Sequence, residues 1–159
     1  EIKEYLINKK KIEVINNPLS KNFKENVYFK KKEKYFLFVG SFTSKKNPLM
    51  LLKIYNEFNK NNNFENIKLK MIGDGPELEV MRNYIFQNNL LKKIEIIKEI
   101  PQVELQKYYS NALCLIICSK YEGFPNVAIE SLFCGTPLLA SKCIGGIKEL
   151  IKNGKNGIL

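Results

Sequence analysis

Short apolar runs alternate with segments of helical periodicity along most of the chain, and this alternation limits the possible fold more than any other feature. The runs YFLFVG, IEII and LCLIIC are apolar at nearly every position, which is typical of strands buried on both faces. Between such runs, apolar residues recur at helical spacing, as Leu51, Leu52, Tyr55 and Phe58 do. Strands that alternate with helices predict an α/β fold, a Rossmann-like parallel sheet with helices on both faces.

The pattern also predicts where the ligand edge of this sheet lies. The predicted strands comprise residues 11–15, 35–40, 67–73, 94–97, 113–118 and 137–141. The predicted helices comprise residues 48–60, 77–90, 103–112, 126–134 and 146–153. Open parallel sheets bind ligands beyond the carboxyl ends of their strands. The turns VGSFTSKKN, IGDGPE, IIKEIPQ and CSKYEGFPN each follow a strand, so we expect all four along one edge.

The two ends of the chain suggest a piece of a longer protein. The first residues begin inside a helical pattern, and the apolar residues that close NGKNGIL have no following segment to cover them. Residues 16–34 are polar and irregular. We therefore expect residues 1–34 to be the end of a preceding domain plus a linker, and residues 35–159 to be one domain truncated at its C-terminus.

The chain is strongly basic, with a formal net charge of +10. This balance suits a nucleic acid, an anionic membrane face or a phosphate-bearing ligand. A compositional bias that enriches Lys, Asn and Ile together explains the charge equally well. The lysines are scattered rather than interleaved with aromatic residues, so we do not expect a nucleic-acid groove. The sequence also lacks an apolar run of the roughly 18 residues that a membrane span needs.

Several kinds of catalytic site are excluded by composition. The chain contains no His, so neither a Ser-His-Asp nor a Cys-His set can be built from it. Zinc binding would require all four cysteines at irregular spacing, and we expect buried thiols of a reducing cytoplasm and no metal site. The glycines Gly73 and Gly75 lack the third glycine of a dinucleotide fingerprint. The four cysteines are Cys114, Cys118, Cys134 and Cys143.

The segment SKYEGFPNVAIE is the most informative of the four turns. Gly123 allows a tight bend, and Pro125 favours the start of a helix. The free N–H groups of that helix would point back at the ligand edge, which makes an anion site. Glu122 and Glu130 on either side can accept hydrogen bonds from sugar or ribose hydroxyls, so the segment fits a nucleotide-sugar. From spacing alone, Glu122 could equally be an exposed loop acid and Glu130 a solvated helix residue.

The turn VGSFTSKKN places Lys45 and Lys46 after a strand and just before a helix begun by Pro48. A lysine there can neutralise a diphosphate, although surface lysines are common in this chain. Asp74, in the tight turn GDGP, is not expected to be catalytic.

The stretch EGFPNVAIESLFCGTPLLAS, continued by GGIKELIKNGKNGIL, closely resembles the C-terminal half of retaining GT-B glycosyltransferases of group 1, the family of bacterial polysaccharide and glycolipid synthases. The segments VGSFTSKKN and IGDGPELEVMRNYI stand at the family's expected upstream positions, and IEVINNPL resembles its interdomain linker. The resemblance implies transfer of a sugar from a nucleotide-diphosphate sugar to an acceptor hydroxyl with retention, in cell-surface polysaccharide, lipopolysaccharide or lipid-linked glycan synthesis. It implies no cofactor and no metal.

The resemblance also implies roles for individual residues. Glu122 would contact donor-sugar hydroxyls, Glu130 would bind the ribose, and Lys46 would stabilise the departing diphosphate. Backbone N–H groups of residues 124–127 would hold the sugar and diphosphate, and residues 98–100 would pass beside the base. Glu122 and Lys46 are the implied catalytic residues. The implied donor site comprises Gly40, Ser41, Lys46, Lys98, Ile100, Glu122, Gly123, Phe124, Pro125, Asn126, Val127 and Glu130.

One position departs from the family pattern. Many members carry Arg directly after the first-strand glycine, where this chain has Ser41, and Lys45 is a candidate substitute. Three other readings stay open: a GT-B enzyme of another type, such as an epimerase, a non-catalytic homologue that binds sugar nucleotides, and a basic nucleic-acid-binding domain.

The implied partners are a donor of UDP or GDP type and a glycan or lipid-linked acceptor bound through a preceding domain. The implied location is the cytoplasm, with possible docking at the inner membrane face. The fragment alone is expected to bind donor without catalysis.

Overall fold

A six-stranded parallel sheet forms the centre of the protein. The computed structural model describes residues 17–21, 23, 34–60 and 67–159. The strands are β1 (Tyr35–Val39), β2 (Lys68–Ile72), β3 (Ile94–Ile97), β4 (Cys114–Ile117), β6 (Leu138–Ala140) and β8 (Gly157–Ile158). They lie side by side in the order β3-β2-β1-β4-β6-β8. Each neighbouring pair runs parallel, so the carboxyl ends of the strands share one edge.

Helices cover both faces of this sheet, as the alternation of patterns predicts. They are α1 (Pro48–Asn59), α2 (Leu78–Gln87), α3 (Gln102–Asn111), α4 (Asn126–Phe133) and α5 (Ile147–Leu150). Successive residues of β1 point to opposite faces. Phe38 packs with residues of α1 and α2, whereas Leu37 packs with residues of α3, α4 and α5. Apolar side chains at successive strand positions are therefore needed to fill both layers.

A separate two-residue ladder holds the loop that follows β4. Its strands are β5 (Tyr121–Glu122) and β7 (Ile144–Gly145), which pair in parallel. Gly145 has a φ of 118°, and a Cβ there would overlap the carbonyl oxygen of Glu122. The Gly146 N–H donates to the carbonyl oxygen of Gly123 at 2.7 Å. The pair of glycines thus lets two backbones approach closely and fixes the Glu122 loop.

The C-terminal segment differs from expectation. The helix predicted over residues 146–153 ends at Leu150, and residues 157–158 form the edge strand β8 on β6. The final apolar residues are therefore part of the sheet, with Gly157 buried and Ile158 61% exposed. Residues 152 and 153 leave the predicted helix because the Lys152 N–H donates to Asn156 Oδ1 at 2.7 Å and Asn153 forms an isolated bridge with Gly157.

Other expectations are met in part or lie outside the described ranges. The predicted strand at 11–15 and most of the linker over 16–34 fall outside the described residues. Cys118 and Cys143 are buried, whereas Cys114 and Cys134 are half-buried because they lie at a strand start and a helix end. Among the helices of the described ranges, none combines the length and apolarity needed to cross a bilayer.

Candidate functional site

The candidate site lies where the chain paths diverge at the carboxyl edge of the sheet. Strand β1 pairs with β2 on one side and with β4 on the other. Loops that leave neighbouring strands in opposite directions open a crevice, and this is the usual ligand position in doubly wound folds. The loop after β1 carries Lys46, and the loop after β4 carries Glu122.

Lys46 and Glu122 form a direct ion pair across this crevice. The Lys46 Nζ lies 2.6 Å from Glu122 Oε1, and the Ser119 hydroxyl donates to the same oxygen at 2.6 Å. Glu122 is only 6% exposed, so the structure excludes the exposed loop acid that spacing alone allowed. A buried carboxylate is costly unless it is paired and hydrogen-bonded, and here it is both.

Backbone contacts fix the two loops relative to each other. The Lys120 N–H donates to the Lys45 carbonyl at 2.9 Å. The Cys118 Sγ lies 3.6 Å from the Asn47 carbonyl oxygen. Burial raises the pKa of Cys118 to about 11, so the thiol stays protonated and can donate this weak bond. Burial, followed by the Glu122 carboxylate, raises the pKa of Cys143, which therefore also stays neutral at pH 7.

Glu130 forms a second buried carboxylate site on α4. Its Oε1 accepts a hydrogen bond from Gln102 Nε2 at 2.8 Å, and its Oε2 accepts one from the Tyr109 hydroxyl at 2.9 Å. Glu130 is 5% exposed and is not a solvated helix residue. Burial, with a further contribution from Glu130, raises the pKa of Tyr109 far above its ordinary value. The phenol is therefore a permanent donor to this carboxylate.

An open cavity of about 340 Å³ lies at the carboxyl ends of β1 and β2, against the start of α3, and neither carboxylate is among its lining residues. Gly40 lines it, and a Cβ built on Gly40 would lie 4.0 Å from Lys46 Cδ. Gln102 lines it on the other side and reaches Glu130. The cavity is lined by Val39, Gly40, Ser41, Ile72, Gly73, Asp74, Glu99, Ile100, Gln102 and Leu105.

The amino end of helix α4 lies only four residues after Glu122 in the chain. It begins at Asn126 after Pro125, and its N-cap makes no side-chain hydrogen bond. The first N–H groups of a helix lack intrahelical acceptors and favour an anion. Gly123, just ahead of the helix, has open space where a Cβ would stand. Asn17 donates to Asn126 Oδ1 at 2.9 Å, so a piece of the predicted linker touches this helix end.

Of the predicted donor-site residues, Gly40, Ser41 and Ile100 line this cavity, whereas Lys46, Lys98, Glu122, Glu130 and residues 123–127 do not. Lys98 is exposed and is not among the cavity-lining residues, although Ile100 is. Lys45, the suggested substitute for the missing arginine, places its Nζ 4.5 Å from the centre of the Tyr121 ring instead. Asp74 lines the cavity but accepts a hydrogen bond from the Gly75 N–H within its own turn.

Sequence reasoning did not identify Gln102, Tyr109 or Ser119 as part of the site. Gln102 and Ser119 lie in or beside turns that the strand pattern places at the ligand edge, so position alone could have found them. Tyr109 lies within α3, and only the packing of α3 against α4 reveals its role. Over the described ranges, no group of three or more His, Cys, Asp or Glu side chains is placed to hold a metal ion.

Two curated relatives resemble this chain in sequence. The GalNAc-alpha-(1->4)-GalNAc-alpha-(1->3)-diNAcBac-PP-undecaprenol alpha-1,4-N-acetyl-D-galactosaminyltransferase of Campylobacter jejuni is 32% identical over 157 residues, 94% of this chain and 41% of the relative. An uncharacterised glycosyltransferase of Methanocaldococcus jannaschii is 30% identical over 136 residues, 86% of this chain and 36% of the relative. The chain therefore spans well under half the length of these relatives.

Solved structures share the fold. S. aureus TarM, solved with fondaparinux, alpha-GlcNAc-glycerol and UDP, superimposes with a TM-score of 0.79 at 21% identity, over 89% of this chain and 28% of that one. The lipopolysaccharide outer core galactosyltransferase WaaB in its apo form gives a TM-score of 0.73 at 26% identity, over 99% of this chain and 44% of that one. The sheet is thus the Rossmann-like half of a GT-B fold. The family model for glycosyl transferases group 1 matches residues 20–159, and the chain belongs to that family.

Proposed function

We propose that this chain binds a nucleotide-diphosphate sugar and supplies the donor half of an enzyme that transfers the sugar to an acceptor hydroxyl with retention. The observation that carries the proposal is the ion pair between Lys46 and the buried Glu122 carboxylate, which stands beside a cavity at the carboxyl edge of the sheet. A cation and a hydroxyl-accepting carboxylate are the two groups that a sugar diphosphate requires side by side.

The nucleoside end of the donor fits the cavity and Glu130. The cavity lies between the strand-end loops and α3, with Ile100 on its wall to contact a base. Each carboxylate oxygen can accept more than one hydrogen bond. Glu130 can therefore receive a ribose hydroxyl and keep its bond from Tyr109.

The diphosphate end fits Lys46 and the start of α4. When the bond between the anomeric carbon and the phosphate oxygen breaks, its electron pair stays on the diphosphate. Lys46 and the first N–H groups of α4 would stabilise that charge, and such preorganised electrostatic stabilisation is usually a large part of catalysis. With Ser41 in place of arginine and Lys45 held at Tyr121, we expect modest affinity for the diphosphate.

The relatives support a choice of donor and acceptor. TarM was solved with UDP, so we propose a UDP-type donor first and a GDP-type donor second. The Campylobacter relative is named for transfer to an undecaprenol-linked glycan. We extend to this chain a glycan or lipid-linked acceptor, bound by the rest of the protein in the cytoplasm near the inner membrane face.

Titration of the 159-residue chain with UDP, GDP and ADP by ligand-observed NMR tests the donor site. We expect one diphosphate to bind and Lys46→Ala to weaken it about tenfold, the value of one charge-assisted hydrogen bond. Lys53→Ala, which removes an exposed charge from α1, is the control and should leave the affinity unchanged. Absence of binding at millimolar ligand would contradict the proposal. If the wild type, Lys46→Ala and Lys53→Ala bind with equal affinity, and that affinity falls steeply as the salt concentration rises, the site binds polyanions nonspecifically instead.

A further inference from the structure

The two oxygens of the Glu122 carboxylate are occupied differently. Oε1 accepts hydrogen bonds from both Lys46 Nζ and the Ser119 hydroxyl, each at 2.6 Å. Within the described ranges, Oε2 receives no hydrogen bond from the protein, and no fully buried side-chain oxygen or nitrogen there is without a partner. Oε2 therefore reaches solvent and is an acceptor without a protein donor among the described residues.

The two donors to Oε1 differ in their freedom to move. Ser119 is 4% exposed and follows the end of β4, and its own carbonyl accepts a hydrogen bond from the Ser141 hydroxyl at 3.3 Å. The Lys46 side chain is 24% exposed and has four rotatable methylene groups. A bound diphosphate can draw the ammonium group away, whereas the serine hydroxyl stays at the strand end.

We propose that Ser119 is a positioning residue for Glu122. In the structure Lys46 and Ser119 share the task of orienting the carboxylate. When a donor diphosphate takes Lys46, the Ser119 hydroxyl keeps Oε1 in place, and Oε2 remains directed at a hydroxyl of the transferred sugar. This inference rests on the proposed function. Ser119 is not among the donor-site residues that the resemblance implies. It implies that Ser119 strengthens binding of the sugar moiety and not of the nucleotide diphosphate.

The test compares a nucleotide diphosphate with its sugar derivatives on the 159-residue chain. The probes are UDP, UDP-glucose, UDP-galactose, UDP-N-acetylglucosamine and UDP-N-acetylgalactosamine, with GDP and GDP-mannose if GDP binds better. We expect Ser119→Ala to weaken the best sugar nucleotide about tenfold and to change the affinity for the free diphosphate less than about twofold. Ser110→Ala is the control, because Ser110 is equally buried and donates to the Gln106 carbonyl at 2.9 Å. It should change neither affinity.

A Glu122→Ala background separates positioning from other roles. If Ser119 acts through Glu122, adding Ser119→Ala to Glu122→Ala should produce no further change in sugar-nucleotide affinity. Thermal unfolding of each variant checks the fold. The inference is overturned if Ser119→Ala weakens the affinity for the diphosphate as much as that for the sugar nucleotide. It is also overturned if Ser119→Ala weakens sugar-nucleotide binding just as much in the Glu122→Ala background. A wild-type protein that binds no sugar nucleotide more tightly than the free diphosphate would overturn it as well. If the wild type binds no diphosphate, the proposed function itself fails and this inference fails with it.

Discussion

The two buried glutamates of this site are stabilised by different kinds of residue. Glu122 is neutralised by the Lys46 ammonium, whereas Glu130 is held by the uncharged donors Gln102 and Tyr109. A charged partner makes Glu122 sensitive to any anion that competes for the lysine. Because the partners of Glu130 are uncharged, its negative charge has no cation beside it in the described part of the chain, and its oxygens can accept further hydrogen bonds from neutral hydroxyl groups. The contrast matches a ligand with a diphosphate at one end and a ribose at the other.

The ion pair predicts an unusual effect of Glu122→Gln. This change removes a negative charge from the side of the diphosphate and releases Lys46, so UDP should bind about fivefold more tightly. Sugar nucleotides should lose their advantage over UDP, because an amide is a poorer acceptor than a carboxylate. Isothermal titration of UDP and UDP-sugars measures both changes.

Glu57→Gln is the matched control for that substitution. Glu57, in the last turn of α1, also lies 2.6 Å from a lysine, the C-cap residue Lys60, but both side chains are largely exposed. Its removal should leave both affinities unchanged. A weaker affinity of Glu122→Gln for UDP would show that Glu122 and the diphosphate do not compete for Lys46.

Tyr109→Phe should destabilise the fold through Glu130. The change removes one of two donors to a buried carboxylate, and hydrogen bonds to charged groups contribute about 2 kcal/mol to the free energy of unfolding. Tyr55→Phe is the comparison, since its hydroxyl donates to the neutral Ile67 carbonyl, and it should cost about 1 kcal/mol. Urea denaturation measures both. Equal costs would mean that the Glu130 charge adds nothing to the Tyr109 bond.

The sequence identifies the acids and the lysine of this site but not the residues that orient them. Glu122, Glu130 and Lys46 stand out through the resemblance of their segments to the family pattern, since spacing alone left both acids open. Ser119 and Tyr109 act through single hydrogen bonds whose geometry depends on how α3, α4 and the β4 loop pack together. Such contacts leave no periodicity in the sequence. The position of Ser119 in a strand-end turn makes it a candidate, but only the structure shows which acid each hydroxyl contacts.

At the scale of elements, the short ladder between β5 and β7 determines where Glu122 stands. Gly145 faces the Glu122 carbonyl so closely that it leaves no room for a side chain. Its φ of 118° also favours glycine. The element that positions the site is therefore only two residues long on each side.

Gly145→Ala should separate these strands and disturb the site. A methyl group would overlap backbone atoms, so we expect a loss of more than about 3 kcal/mol in unfolding free energy and of diphosphate binding. Gly135→Ala is the control, because Gly135 also has positive φ, 71°, but open space around it. It should cost about 1 kcal/mol and leave binding intact. Similar costs for the two variants would show that the close approach at Gly145 can relax.

The long elements follow from the sequence, and the short ones do not. The strands at 35–39, 94–97 and 114–117 and the helices α1 to α4 lie where apolar runs and helical spacing predict them. The two-residue strands β5, β7 and β8 are too short to show a period, and distant backbone pairing decides them. The helix α5 also ends earlier than its residues suggest, because Lys152 and Asn153 bond to residues 156 and 157 instead of continuing the helix.

At the scale of the whole molecule, two apolar layers on either side of the sheet hold titratable groups in uncharged form. Tyr55 and Cys118 lie in the layer with α1 and α2, and Tyr109 lies in the other. Burial raises the pKa of Tyr55 to about 12 and that of Cys118 to about 11. The free energy of unfolding above neutral pH should therefore depend on buried groups in both layers.

Alkaline pH should destabilise the fold, because these groups ionise at a lower pH in the unfolded chain than in the folded protein, and ionisation favours the unfolded state. The ordinary pKa values are 9.0 for the Cys118 thiol and 10.0 for the Tyr55 phenol, both below the folded values. Below pH 9 both neutral groups contribute fully to the free energy of unfolding. Each contribution then falls by about 1.4 kcal/mol per pH unit, from pH 9 to 11 for Cys118 and from pH 10 to 12 for Tyr55. Urea denaturation from pH 8 to 11 should show the decline. Cys118→Ala should flatten it between pH 9 and 11, and an unchanged slope would contradict the assignment.

The pairing of β1 with β4 rests on few residues, Phe36 with Cys114 and Leu37 with Leu115. A slip of one residue would move everything after β4 by about 3.3 Å and reverse its faces. Lys46 and Glu122 would then no longer meet. An added or lost residue between Leu115 and Glu122 would likewise shift Glu122 relative to Lys46. We therefore expect the length of this stretch to be constrained more strictly than the identity of its apolar residues.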